Sequence, residues 1–191
     1  MKKCSKRIIL GSGSPRRREL LAGLDVEFTV DTGNTFEESV PQGADPHEVP
    51  LLMSSGKSHG FHRPLEQDEL LITADTVVIL DGKVLGKPHG REDAIRMLGM
   101  LAGRTHEVVS AVTFRDATRE QSFTDSTFVH IDPLSEEEIT YYIDTYRPFD
   151  KAGSYGVQEW LGFAAIGRIE GSFYNVMGFP VSRVWKLLQE F

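Results

Sequence analysis

Cysteine is nearly missing from this chain: Cys4 is the only one in 191 residues. That excludes an internal disulfide framework and any cysteine-rich zinc site. No apolar run approaches the ~20 residues a bilayer-spanning helix needs, and the apolar part of MKKCSKRIILGSG is too short for a secretory signal. A cytoplasmic protein with no membrane partner is expected. Positive charge is also in deficit, with 21 Lys and Arg against 28 Asp and Glu and a formal charge of -7. Nucleic-acid binders depend on net basic surfaces to displace counterions, so no nucleic-acid partner is expected either. G-x-G-x-x-G, the Walker pattern and H-E-x-x-H are all absent. The spacing of His59 and His62 around Gly60 does not suggest zinc.

What remains is ordinary for a globular protein: 40% hydrophobic and 26% charged residues. The length suits one sizeable domain, or two small lobes around a cleft. With no linker in view, a single domain over 1–191 is expected. RIIL (7–10) reads as a buried strand end and VEFTV (26–30) as a strand, whereas residues 46 to 61 read as a weak helix spoiled by Pro50, Gly56 and Gly60. LLITADTVVIL (70–80) has the continuous β-branched character of a central strand, and Asp81-Gly82 signals a tight hairpin into KVLGKP. A helix over 91–103, two long strands joined near Ala117 to Arg119, and a capping box of Ser135 with Glu138 follow. FAAIGRI reads as a strand and PVSRVWKLLQEF as a closing helix. Strands and helices mix without strict alternation, which predicts an α/β or α+β fold with a partly antiparallel sheet.

Three consecutive arginines, Arg16 to Arg18, follow Ser14 and Pro15 at an apparent helix start. The helix dipole is positive there, and each exposed like charge opposes it by about 0.3–1 kcal/mol. Either the arginines point into water, or the turn awaits a polyanion, with backbone N–H groups and the forks of Arg16 and Arg17 suiting a phosphate chain. Asp75 is the other anomaly, since a carboxylate inside an apolar strand is costly unless it meets a metal, a cation or hydrogen-bond donors. It is either a strand-end aspartate holding a loop or a metal ligand or general base facing a cleft. Lys87, aimed by Pro88, and Lys151, ahead of Ala152-Gly153, are candidate phosphate ligands or ordinary surface lysines, and Lys57 has the same two readings. A metal bridging phosphates needs hard oxygens, which Asp75 with one or both of Glu37 and Glu38 would supply.

Together, SGSPRRREL, FEES, ADTVV, GKP, LAGRTHEVVSAV, DKAGSYGVQ and GSFYNVMGFP resemble, in order and spacing, the Maf-like nucleoside triphosphate pyrophosphatases. The resemblance runs from about Ile8 to the C-terminus and is strongest to the form acting on dTTP and UTP. It implies a Maf, inosine-triphosphatase-like fold: a mixed sheet flanked by helices around a deep cleft, in a homodimer. It also implies hydrolysis of a nucleoside triphosphate to monophosphate and pyrophosphate with a divalent cation, Mg2+ or Mn2+. By matching position, Asp75 is the catalytic carboxylate and a metal ligand with Glu38. Arg16, Thr76 and Gln158 are tied to base specificity. Ser14, Arg16, Arg17, Lys57, Lys87 and Lys151 are expected along the phosphates. A glutamine amide both donates and accepts, as a uracil or thymine edge requires. Two other readings stay open: a non-catalytic nucleotide-binding regulator of cell division, and a pyrophosphatase of the same fold preferring modified purine nucleotides.

Overall fold

The computed structural model describes residues 4–41 and 43–191. In chain order the elements are β1 (Arg7–Leu10), α1 (Pro15–Ala22), β2 (Phe28–Val30), α2 (Val49–His59), β3 (Glu69–Leu80), β4 (Lys83–Leu85), α3 (Arg91–Leu101), β5 (Thr105–Arg115), β6 (Glu120–Ile131), α4 (Glu136–Tyr146), α5 (Trp160–Ala164), β7 (Ile166–Glu170), α6 (Phe173–Val176) and α7 (Val181–Leu188). The fold is mixed α/β. Strands pair in the order β2-β1-β3-β5-β6-β7, with β4 also on β3. β1 is parallel to β2 and β3, while β4 and β7 are antiparallel to β3 and β6.

Two compact units divide the chain: one up to Asp75 with Ser110–Asp125 and Gly178–Phe191, the other Thr76–Val109 with Ser126–Met177. In the first, Ser14 caps α1 by accepting the Arg17 N–H, and Pro15 opens the helix. α2 is a full helix where the sequence suggested a weak one. Pro50 lies in its first turn, where a missing N–H breaks no intrahelical bond, and Gly60 ends it. Ser54 and Thr73, both fully buried, bond each other reciprocally: Ser54 Oγ to the Thr73 carbonyl at 3.2 Å and Thr73 Oγ1 to the Ser54 carbonyl at 2.7 Å. That pair fixes α2 against β3.

In the second unit Val78, Leu98, Leu101, Val129, Ile143 and Leu161 form the core with Tyr142 and Tyr155. The Asp81-Gly82 turn has φ of 51° and 69°, both positive as a tight hairpin of that hand requires. Ser135 and Glu138 complete the capping box of α4. One expectation fails, because FAAIGRI is not strand throughout: Phe163 and Ala164 belong to α5, and β7 starts at Ile166. The turn of helix sends Leu161 into the core and leaves Phe163 86% exposed, an arrangement the apolar run alone does not reveal. α6 was not foreseen either; Ser172 caps it by accepting the Asn175 N–H.

His106 on β5 is 2% exposed, with Nε2 2.7 Å from the Tyr155 hydroxyl. Burial, aided by His130, lowers its pKa to about 4. Between that value and the ordinary ~6.5 the unfolded chain carries one more proton than the folded one, so stability falls as pH drops through this window. Urea unfolding at pH 7 and pH 4.5 should show a loss of about 2–3 kcal/mol that a His106→Gln variant lacks.

Candidate active site

Of the twelve residues of β3, only Asp75 and Thr76 are not buried. At this opening Asp75 Oδ1 accepts from Lys57 Nζ at 2.6 Å, and the same ammonium lies 3.2 Å from Glu38 Oε1. The Lys57 and Asp75 side chains are each 16% exposed, so this is a sheltered ion cluster rather than a surface pair. α2 delivers the lysine, and its last turn is held by Arg115, which donates from Nε to Ser58 Oγ at 2.8 Å and also to the Ser58 carbonyl. The loop bearing Glu38 is pinned to the same helix: Asn34 Nδ2 donates to the Lys57 carbonyl at 2.6 Å, and the Thr35 N–H to the Gly60 carbonyl at 2.8 Å. Between these bonds the Phe36 ring lies on Gly56, where a Cβ would stand 2.3 Å from Cζ. The glycine that weakens α2 on paper is therefore what seats the acidic loop.

Arg17 turns inward from the first turn of α1. Its Nη1 donates to the Ala74 carbonyl at 2.8 Å and its Nε to the Gly178 carbonyl at 2.9 Å. Burial pulls this guanidinium below its ordinary pKa, Asp75 and Glu38 act in the opposite direction, and Arg16 lowers it further. All four charged groups therefore share one electrostatic neighbourhood, at the N-terminus that Ser14 caps. Arg17, expected along the phosphates, also grips the backbone immediately before Asp75.

The second unit holds Thr76, Lys87, Lys151 and Gln158. Lys87 is exposed on the loop after β4. Lys151 is 9% exposed, its ammonium 2.8 Å from Asp150 Oδ1 and 3.0 Å from Glu159 Oε1. The two lysine-bearing loops are joined by the Gly153 N–H donating to the Gly86 carbonyl at 3.1 Å. Gly153 has a φ of 67°, and a Cβ there would meet the Val78 side chain at 3.0 Å, so a side chain at this position would be strained. Gln158 Oε1 is buried without a hydrogen-bond partner. The histidines have local uses: His59 Nε2 is 2.8 Å from Glu120 and His62 Nε2 3.0 Å from Asp31. Among the described residues no group of three or more His, Cys, Asp or Glu could hold a metal ion.

The profile of the family described as "Maf-like protein" matches residues 7–191. The chain belongs to the Maf-like family. A protein from Porphyromonas gingivalis named "dTTP/UTP pyrophosphatase" is 50% identical over 187 residues, covering 97% of this chain and 94% of the relative. One of the same name from Bacteroides thetaiotaomicron is 48% identical over 183 residues, covering 96% and 95%. A solved structure titled "Structure of a HAM1 protein from Coxiella burnetii" aligns with a TM-score of 0.50 at 13% identity, over 97% of this chain and all of that one. That likeness concerns the fold alone.

In this Maf-like chain the contact between Phe36 and Gly56 makes a testable cycle. Gly→Ala in an unobstructed helix stabilises by ~0.5–1 kcal/mol. Gly56→Ala should instead destabilise the protein, and should stabilise it by about that amount once Phe36→Ala has removed the ring, as read from urea midpoints.

Proposed function

We propose that this chain hydrolyses dTTP and UTP to the monophosphate and pyrophosphate. The observation that carries the reading is the Asp75 carboxylate, held by Lys57 at the single opening of an otherwise buried strand. The substrate is that named for relatives about half identical over nearly the whole chain. Gln158 supports it: a buried amide oxygen without a partner calls for a donor, which uracil and thymine offer at N3, while the amide N–H groups can donate to a ring carbonyl.

Asp75 and Glu38 approach one ammonium from two sides, so their oxygens already converge on a single positive centre. Two carboxylates with phosphate oxygens completing the shell suit Mg2+ or Mn2+, and the pair fits such an ion. When bound, that ion would neutralise charge on the phosphates. Asp75 orients the attacking water and receives its proton. Water attacks the α-phosphorus, the bond to the bridging oxygen breaks, and pyrophosphate departs with the electron pair. Arg16, beside the capped start of α1, binds phosphate oxygens, and Lys87 and Lys151 meet charge developing on the leaving group. Arg17 keeps Ala74, and hence Asp75, in place. A cytoplasmic homodimer is part of the same reading.

Asp75→Asn should fold and bind dTTP within about tenfold of the parent, yet lose roughly a thousandfold or more in pyrophosphate release with Mg2+ or Mn2+. Near-normal release would leave Asp75 outside the chemistry, and no release by the parent protein on any nucleotide would favour a binding regulator. Gln158→Glu removes the amide donor, so kcat/KM for dTTP and UTP should fall about 10–100-fold. GTP turnover should change much less; an equal loss on every nucleotide would show that Gln158 does not read the base.

A further inference from the structure

We propose that Glu159, braced by Tyr142, is a positioning residue that sets the Lys151 ammonium for the leaving pyrophosphate. The proposal rests on the reading that Lys151 meets the substrate's phosphates. Glu159 stands at the N-cap of α5, where a polar side chain usually accepts a helix N–H, but its side chain makes no such bond. It turns inward instead. One carboxylate oxygen lies 3.0 Å from Lys151 Nζ, and the other accepts the Tyr142 O–H. The Tyr142 hydroxyl in turn accepts the Gly156 N–H at 2.9 Å, so its one proton is committed to Glu159.

Tyr142 cannot drift. Its residue is fully buried and its ring stacks on Tyr146, with centroids 5.2 Å apart, and more distantly on Trp160 at 6.5 Å. Burial and the neighbouring carboxylate push the phenol pKa well above its ordinary value, so it remains a donor throughout the working range. Gly156 lacks a side chain for a matching reason: a Cβ there would stand 2.9 Å from Glu159 Cδ and 3.1 Å from Lys151 Cε. The turn from Lys151 to Glu159 thus closes around one carboxylate, and Gln158 is the residue next to it. Asp150, the other partner of Lys151, is 58% exposed against 18% for Glu159. Only the sheltered carboxylate holds the ammonium in a defined direction, because an exposed ion pair exchanges readily with water.

Glu159→Gln keeps an acceptor for Tyr142 but removes the charge that aims Lys151. With dTTP and Mg2+ it should lower kcat about tenfold, move KM less than threefold, and leave the urea midpoint close to that of the parent. The same substitution in a Lys151→Ala background, assayed at high enzyme concentration, should have no further effect on kcat. Tyr142→Phe, which keeps both charges and removes the brace, should lower kcat about threefold, again only when Lys151 is present; it carries the test if Glu159→Gln does not fold. An unchanged kcat, or an equal loss with and without Lys151, overturns the positioning role. Normal turnover by Lys151→Ala alone overturns the assignment of Lys151 to phosphate, a separate failure.

Discussion

The Lys57 ammonium, lodged between Asp75 and Glu38, is the interaction on which the first unit depends. A carboxylate as sheltered as Asp75 is costly alone, and removing a partner from such a cluster leaves an uncompensated charge. Three separate parts of the chain converge to prevent that. β3 supplies Asp75, α2 supplies Lys57, and the loop seated by Phe36 on Gly56 supplies Glu38. Arg17 completes the arrangement from α1 by gripping the Ala74 carbonyl. With Arg16, the cluster holds three cations against two carboxylates, an imbalance suited to an anionic ligand.

The second unit repeats the device with different residues. Lys151 also sits between two carboxylates, one sheltered and one open, with side chains 18% and 58% exposed; for Lys57 the values are 16% and 57%. The sheltered carboxylate fixes direction. The open one is already in competition with water and is the less costly to displace. Glycines at 56, 153 and 156 serve these clusters by letting a ring, a β-branched side chain and a lysine stem approach the backbone.

Asp75 was legible because a single charge inside an apolar, β-branched run contradicts its surroundings. The arginine triplet was legible for a similar reason, opposing the dipole of its own helix. Their directions were not. Arg17 faces backbone carbonyls rather than open space, which follows from the depth of α1 against β3 and has no local signature. Lys57 was harder still, since Pro50 and Gly56 argue against a regular helix and the Ser54–Thr73 pair that stabilises it joins residues nineteen apart. Likewise FAAIGRI offers one apolar run whose first residues are helical only because Leu161 is drawn into the core.

Local chemistry by itself determined most of the strands and helices, the caps of α1 and α4 and the turn between β3 and β4, and that a carboxylate and a set of cations needed partners. These follow from periodicity, backbone preference and the cost of burying charge, all of which act over a few residues. The tertiary structure decided which charges meet. The distance from Lys57 to Asp75, the inward turn of Arg17 and the alignment of Glu159 on Lys151 arise from contacts between distant segments, and a charge's partner is set by packing in three dimensions rather than by its neighbours in the chain.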